Sequence, residues 1–311
     1  MFSRFRTRPF TSREKRLIVL LLVAVGLAAW KYVPRPWHPS AKVETARYVI
    51  LSTAAPAQTE EIARVVEALY GVYSNRFGAL PTFRCQHAKL QMKLYKDRRE
   101  FRRVNPGLGW AEAFYRKPYC QAYYSSQEIN SHHWMLHEAT HQLNAEVAHV
   151  TMAQWLEEGL AEYFSTSRFL KGQLVLGTVD PNTYPAWWID DLATTPDLTA
   201  NLHNGSVIPL RAIVTGHGGP SMNRHFNLYY LHWWSLTHFL FQTERHRPAV
   251  TALLEQGGGL ETFEKRIGPV DTVQAEWHDY VRHLKVVLAG HDPQFLRTGQ
   301  VPPMTNAPGR R

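Results

Sequence analysis

The rhythm of apolar and polar positions changes several times along the chain. Leu17 to Trp30 runs without a charge and gives way to Lys31-Tyr-Val-Pro34. Residues 34–44, with three prolines, read as an extended linker. Arg47-Tyr-Val-Ile-Leu-Ser52 is a short β-rich stretch, and Lys89-Leu-Gln-Met-Lys-Leu-Tyr95 alternates polar with apolar, the period of a half-buried strand. Between them Ile62, Val65, Val66, Leu69 and Val72 recur at helical spacing, which predicts a helix over 59–73 with acids in its first turn. A charged helical turn is expected at Asp97–Arg103, a loop at 105–109 and a further strand at Cys120–Ser126. From Ser131 the spacing turns helical, near 131–146, 152–168, 223–243, 248–257, 259–267 and 271–288. No internal repeat is visible.

This order predicts an α+β fold, a small N-terminal mixed sheet packed on a mainly helical half. The expected organisation is a basic cytoplasmic segment at 1–16, a transmembrane signal anchor at 17–33 with a cleaved signal peptide as the rival reading, a linker at 34–44, one folded domain over 45–290 and a disordered tail at 291–311.

Charge sharpens that division. The net charge of +9 is concentrated at the ends: residues 1–16 carry +5 and residues 291–311 carry +2. The near-neutral body offers no basic face for phosphates, so nucleic acid is not an expected partner. Basic residues ahead of an apolar run stay in the cytoplasm, which places the rest of the chain in the periplasm or outside the cell, tethered to the inner (plasma) membrane. Two cysteines in an exported segment, Cys85 and Cys120, permit a disulfide. Neither has a neighbour at metal-ligand spacing.

The chemistry is carried by two segments. The first, His137-Glu138-Ala-Thr-His141, places two imidazoles one helical turn apart on one face, where both can reach one Zn²⁺. Glu138 points into the same cleft and can take a proton from an activated water. The second, Trp155-Leu-Glu157-Glu158-Gly159-Leu-Ala-Glu162-Tyr163, sets acids inside an otherwise apolar helix. Glu158, seventeen residues after His141, can complete a His₂Glu site with its fourth position open. Glu157 and Glu162 are the rivals for that place. Glu162, one turn beyond Glu158, can instead accept the outer N–H of a ligand histidine.

This pair of segments resembles the gluzincin zinc metallopeptidases, and most closely the bacterial peptidase MA-like family with its Trp-Leu-x-Glu-Gly-Leu-Ala-Glu-Tyr string. The resemblance implies a zincin-like fold, a zinc cofactor held by His137, His141 and Glu158, Glu138 as general base and Glu162 as the acid behind a ligand ring. It covers residues 130–165 strongly. Between 229 and 284 it extends to Tyr230, Trp234, Leu236 and Trp277, with Tyr230 at the position of the oxyanion donor and Tyr229, His232 and His225 as competitors. His132 and His133 are expected to be bystanders. The interval from His141 to Glu158 is shorter than in the aminopeptidase branch, so a tighter helix–loop–helix is expected. A metzincin site is excluded, since Asn144 and Val147 stand where that pattern needs Gly and His.

The implied activity is hydrolysis of peptide bonds in a peptide or protein substrate, with an extended chain lying along an edge strand expected at Cys120–Ser126. A non-catalytic, membrane-tethered, zinc-containing binding protein is the alternative. It would ordinarily need four protein ligands, where three are found.

Overall fold

The structure, a computed structural model, describes residues 10–304 apart from 34, 86, 87, 110, 193, 291 and 292. Residues 1–9 and 305–311, parts of the expected basic segment and tail, lie outside the described residues. The first helix, α1 (Ser12–Tyr32), begins where the Thr11 N–H donates to the Glu14 carboxylate and the Glu14 N–H donates to the Thr11 hydroxyl. This reciprocal pair satisfies two donors at the helix start. Along α1, Leu17, Leu20, Leu21, Leu22 and Leu27 are each about two-thirds exposed. No helix among the described residues is long and apolar enough to cross a membrane.

Five strands form a mixed sheet: β1 (Ala41–Glu44), β2 (Tyr48–Ser52), β3 (Leu90–Tyr95), β4 (Ala113–Arg116) and β5 (Tyr119–Tyr123). Their spatial order is β1–β2–β3–β5–β4, with the inner three parallel and both outer strands antiparallel. Two of these strands correct the sequence reading. β1 lies inside the segment read as a linker; Lys42 and Glu44 face solvent, and pairing with β2 from Ala41↔Ser52 to Glu44↔Val49 makes the strand. β4 was not anticipated, and β5, read as the substrate-facing edge, has a neighbour on each side.

One face of the sheet carries α2 (Pro56–Phe77), which buries Ile62, Val65, Val66, Leu69 and Tyr73. Each such side chain contributes about 1.5–3 kcal/mol. The helix is longer at both ends than its spacing predicts. Pro56 occupies the first turn, where its missing N–H costs nothing. Thr59 therefore lies inside the helix, its hydroxyl 2.7 Å from that of Ser52 in β2. The opposite face holds a small aromatic cluster of Tyr95, Phe101 and Tyr123 beneath α3 (Arg98–Val104).

The rest of the chain is mainly helical: α4 (His133–Leu143), α5 (Gln154–Ser165), a hairpin of β6 (Arg168–Leu170) and β7 (Gln173–Val175), then α6 (Leu198–His203), α7 (Leu210–Thr215), α8 (Phe226–Gln242), α9 (Val250–Glu255), α10 (Leu260–Arg266), α11 (Val270–Ala289) and α12 (Pro293–Thr298). The protein is thus α+β. α4 joins the two halves, with Met135 against Cys120 of β5, sulfur to sulfur 3.4 Å. Both cysteines are free, Cys120 buried and Cys85 exposed, so the expected disulfide is absent. α12 corrects the reading of the tail as disordered from 291: Phe295 is buried and Arg168 donates to the Leu296 carbonyl at 2.7 Å.

Packing of α5 on α8 depends on a missing side chain. A Cβ on Gly159 would stand 2.3 Å from the Thr237 hydroxyl and 2.5 Å from the Trp233 carbonyl oxygen. Only glycine lets the two helices approach this closely.

Candidate metal centre and cleft

α4 has two faces. Met135, Leu136, Ala139 and Leu143 enter the core, while His137, Glu138 and His141 border a cleft of about 1090 Å³. The helix ends in a single π turn, Asn144–Ala148, followed by His149 in the left-handed region at φ 51°. The Tyr73 hydroxyl, donating to Asn144 Oδ1 at 2.7 Å, anchors the turn on α2. This wide turn reverses the chain at once and closes the short interval between His141 and Glu158.

α5 then places Glu158 opposite the two histidines. His137 Nε2 and His141 Nε2 are 3.1 Å apart, and Glu158 Oε2 lies 3.5 Å from the first and 3.6 Å from the second. Ligand atoms of a tetrahedral zinc site, with bonds of 2.0–2.1 Å, stand about 3.3–3.4 Å from one another. The triangle therefore has the dimensions of one face of such a site, and these three residues form a group able to hold a metal ion. Glu158 Oε2 is buried without a hydrogen-bond partner among the described residues, as suits an oxygen whose partner is a cation.

The outer nitrogens of both rings face carboxylates. Glu162, fully buried, brings Oε1 to 3.2 Å from His137 Nδ1, and its Oε2 accepts from the Ser165 hydroxyl at 3.2 Å. A carboxylate at this place favours a proton on Nδ1, the tautomer that offers Nε2 as a ligand atom. Glu157 Oε1 is 3.6 Å from His141 Nδ1, on the far side of that ring from the triangle. Of the three acids on α5, Glu158 stands at the meeting point and the other two stand behind the rings. The contact of Glu157 with His141 was not visible in the sequence, because its spacing from Glu158 gives no indication of which side of His141 it reaches.

Electrostatics follow from burial and these contacts. Burial pulls His137 towards neutrality, but the charge of Glu162 and close contacts with Glu158 and Glu162 outweigh it and raise its pKa. For His141 burial likewise lowers the pKa, but close contacts with Glu157 and Glu158 overcome it, lifting it to about 9. Burial raises Glu158, yet the two imidazoles hold its carboxyl well below the usual range. Glu138 is raised by burial, against a downward pull from both rings and the backbone N–H of Tyr115. Glu162 is raised by burial, which His137 partly offsets.

Tyr230 on α8 lines the cleft, its ring 6.4 Å from that of His137. Burial, then the charge of Glu158, pushes its phenol far above the ordinary value, so it remains a hydrogen-bond donor. Its competitors point elsewhere. The Tyr229 hydroxyl donates to the Pro220 carbonyl at 2.9 Å. Both ring nitrogens of His232 are engaged, with the Leu228 carbonyl at 2.7 Å and the Ile208 N–H at 3.1 Å. His225 is exposed ahead of α8. His133 is fully buried against Trp134 and held neutral by burial. His132 lies 3.8 Å from Glu61, which also accepts from Ser131 and Tyr124, each at 2.8 Å, and so ties the start of α4 to α2.

The edge strand beside the triangle is β4. Its position is set from α4: the Gln142 side-chain amide donates to the Pro118 carbonyl at 3.0 Å and to Glu146 at 3.1 Å, and Glu146 accepts from the Tyr115 hydroxyl at 3.0 Å. Across the cleft stands an aromatic wall in which Tyr184 stacks on Trp134, continued by Trp187 and Trp188.

A family model described as a protein of unknown function (DUF1570) matches residues 133–256. The matched stretch opens at α4 and runs beyond α8, so it spans His137, Glu138, His141, Glu158, Glu162 and Tyr230. No curated protein matches the chain.

Proposed function

We propose that this chain is a zinc metallopeptidase of the gluzincin type with a zincin-like fold, tethered to a membrane by its N-terminal helix. The observation that carries the reading is the triangle of His137 Nε2, His141 Nε2 and Glu158 Oε2, with sides of 3.1, 3.5 and 3.6 Å, beside Glu138 and open to the cleft. A zinc ion held there supplies a Lewis acid that acidifies water and polarises a carbonyl. The residues do the rest. Glu138 takes a proton from the attacking water on its carboxylate and passes it to the departing amine nitrogen. Glu162 and Glu157 fix the two rings. The Tyr230 hydroxyl donates to the oxygen on which negative charge develops. β4 offers an unpaired strand edge to an extended peptide. The tether reading rests on the apolar run of α1, which is exposed along its length and follows a basic segment.

Zinc content of the purified full chain tests the metal centre. About one zinc per chain is expected in wild type, and none in His141→Ala or Glu158→Ala. Zinc retained by Glu158→Ala would move the third ligand to another acid. Absence of zinc from wild type after reconstitution would sink the peptidase reading and leave a binding protein.

A further inference from the structure

The cleft does not end at the metal triangle. Beyond the Ala113 end of β4 it meets a second recess, whose walls are Arg98, Arg99, Arg102 and Gly109; Arg98 and Arg99 border both spaces. Topology brings them there. β3 ends at Tyr95 beside Tyr123 of β5, and α3 starts three residues later, so its first side chains stand off the ends of these strands. The loop after α3 closes the recess with Gly109, at φ 62°, whose carbonyl accepts from Arg102.

The three guanidinium groups are not equivalent. Arg98 and Arg102 both bind Glu112, with Arg98 Nε at 2.7 Å and Arg102 Nη2 at 3.0 Å, and Glu112 also accepts from the Tyr123 hydroxyl. One carboxylate thus fixes two arginines and offsets one of their charges. Asp97 and Glu128 border the cleft but not the recess, and both are occupied, Asp97 with the Glu100 N–H and Glu128 with the Trp134 ring N–H. Arg99 is exposed and has no hydrogen bond or ion pair among the described residues. A free cation therefore projects beside two that are already held.

β4 gives this place a direction. A peptide that pairs antiparallel to β4, the more stable pairing, runs from the Arg116 end towards Ala113. Its C-terminal part then leaves the metal triangle towards Arg98 and Arg99. We infer that this arginine recess binds a carboxylate on the C-terminal side of the scissile bond, with Arg99 as the specificity-determining residue. The source of that carboxylate is an Asp or Glu side chain or the peptide's own C-terminus. This inference rests on the peptidase reading and adds a preference for acidic peptides to it.

Binding to Glu138→Gln full-length protein tests it without turnover. The probes are short, N-terminally fluorescent peptides in matched pairs, Glu against Gln near the C-terminal end, each as free acid and as amide, read by anisotropy at low salt. Acidic peptides are expected to bind about fivefold more tightly than neutral ones, the size of one partly exposed ion pair, with the difference shrinking as salt rises. Adding Arg99→Gln should reduce the preference to less than about twofold while neutral peptides bind as before, and Arg99→Lys should restore most of it. A Glu-over-Gln preference that persists in the amides assigns the side chain; an acid-over-amide preference assigns the C-terminus. Equal affinities within a pair, a preference untouched by Arg99→Gln, or one that follows acids placed at the N-terminal end would overturn the inference while leaving the peptidase reading in place. If no peptide binds at all to the zinc-loaded protein, both fall.

Discussion

α4 and α5 bring their acids to the same point in opposite surroundings. On α4, Glu138 is half-buried and faces the cleft, with the apolar residues of that helix turned the other way. On α5, nine residues are buried, and Glu162 is among them at 0% exposure. On the proposed reading the difference separates two tasks. A group that exchanges protons with water has to meet water, whereas a group that orients a ligand ring is best held where nothing else can reach it. Burial is costly for a carboxylate, and at Glu162 the cost is offset by His137 and Ser165 in direct contact.

Substitutions on the two helices sharpen this contrast. The largest effect is expected on α4: Glu138→Gln should retain zinc while peptide hydrolysis falls by about 10³-fold or more, because the proton carrier is lost and the holders remain. Near-normal turnover would remove Glu138 from its role. On α5, Glu162→Gln should weaken zinc about 10- to 100-fold, measured by competition with a chelator, since His137 loses the acceptor that fixes its ring. An unchanged affinity would make Glu162 an ordinary buried acid. Gly159→Ala should lower stability by about 1–3 kcal/mol in thermal or denaturant unfolding, because the new methyl meets the Trp233 carbonyl of α8. An unchanged midpoint would show that α5 and α8 can part without cost.

The smallest effect belongs to the start of α4. Glu61 is held down to about 2, first by the neighbouring His132 ring, against a raising effect of burial and with further help from Ser131 and Tyr124. A carboxylate whose pKa is depressed on folding stabilises the protein above its unfolded value, about 4.3, and that contribution is lost as pH falls towards 2. Because Glu61 is partly exposed, solvent screening reduces the contribution to about 1 kcal/mol or less. Glu61→Gln should therefore cost this much at pH 7 and little near pH 2, read from urea midpoints at the two pH values. An equal cost at both would mean that packing, not charge, ties α2 to α4.

The two motif helices were legible because each breaks a local rule. Two histidines at i and i+4 beside an acid, and acids inside an apolar helix, are poor choices for a core and good ones for a metal. The parallel strands β2 and β3 were legible from β-rich composition and alternation. β4 was not: Ala113-Phe-Tyr-Arg116 is four residues long, and its strand character comes from pairing with β5. The same holds for β1, whose outer face is Lys42 and Glu44. Reading Cys120–Ser126 as the edge was a consequence of missing β4, since an unseen neighbour turns an inner strand into an outer one. α12 escaped notice because it is six residues long and one aromatic residue, Phe295, docks it while Leu296 stays exposed. The arginine recess was illegible for another reason: Arg98 and Gly109 meet only once the loop between them has closed.

The strand order has a mechanical consequence. The chain that leaves α1 enters the sheet at β1, and the strand beside the triangle is at the far edge, four strand spacings or about 19 Å away. A pull on the N-terminal helix loads the β1–β2 ladder first, in shear, across the four paired positions from Ala41 to Glu44. β4 is held separately, by Gln142 and Glu146 from the far end of α4. Tension applied at α1 therefore reaches the sheet at its near edge, and the cleft strand is the last to feel the load.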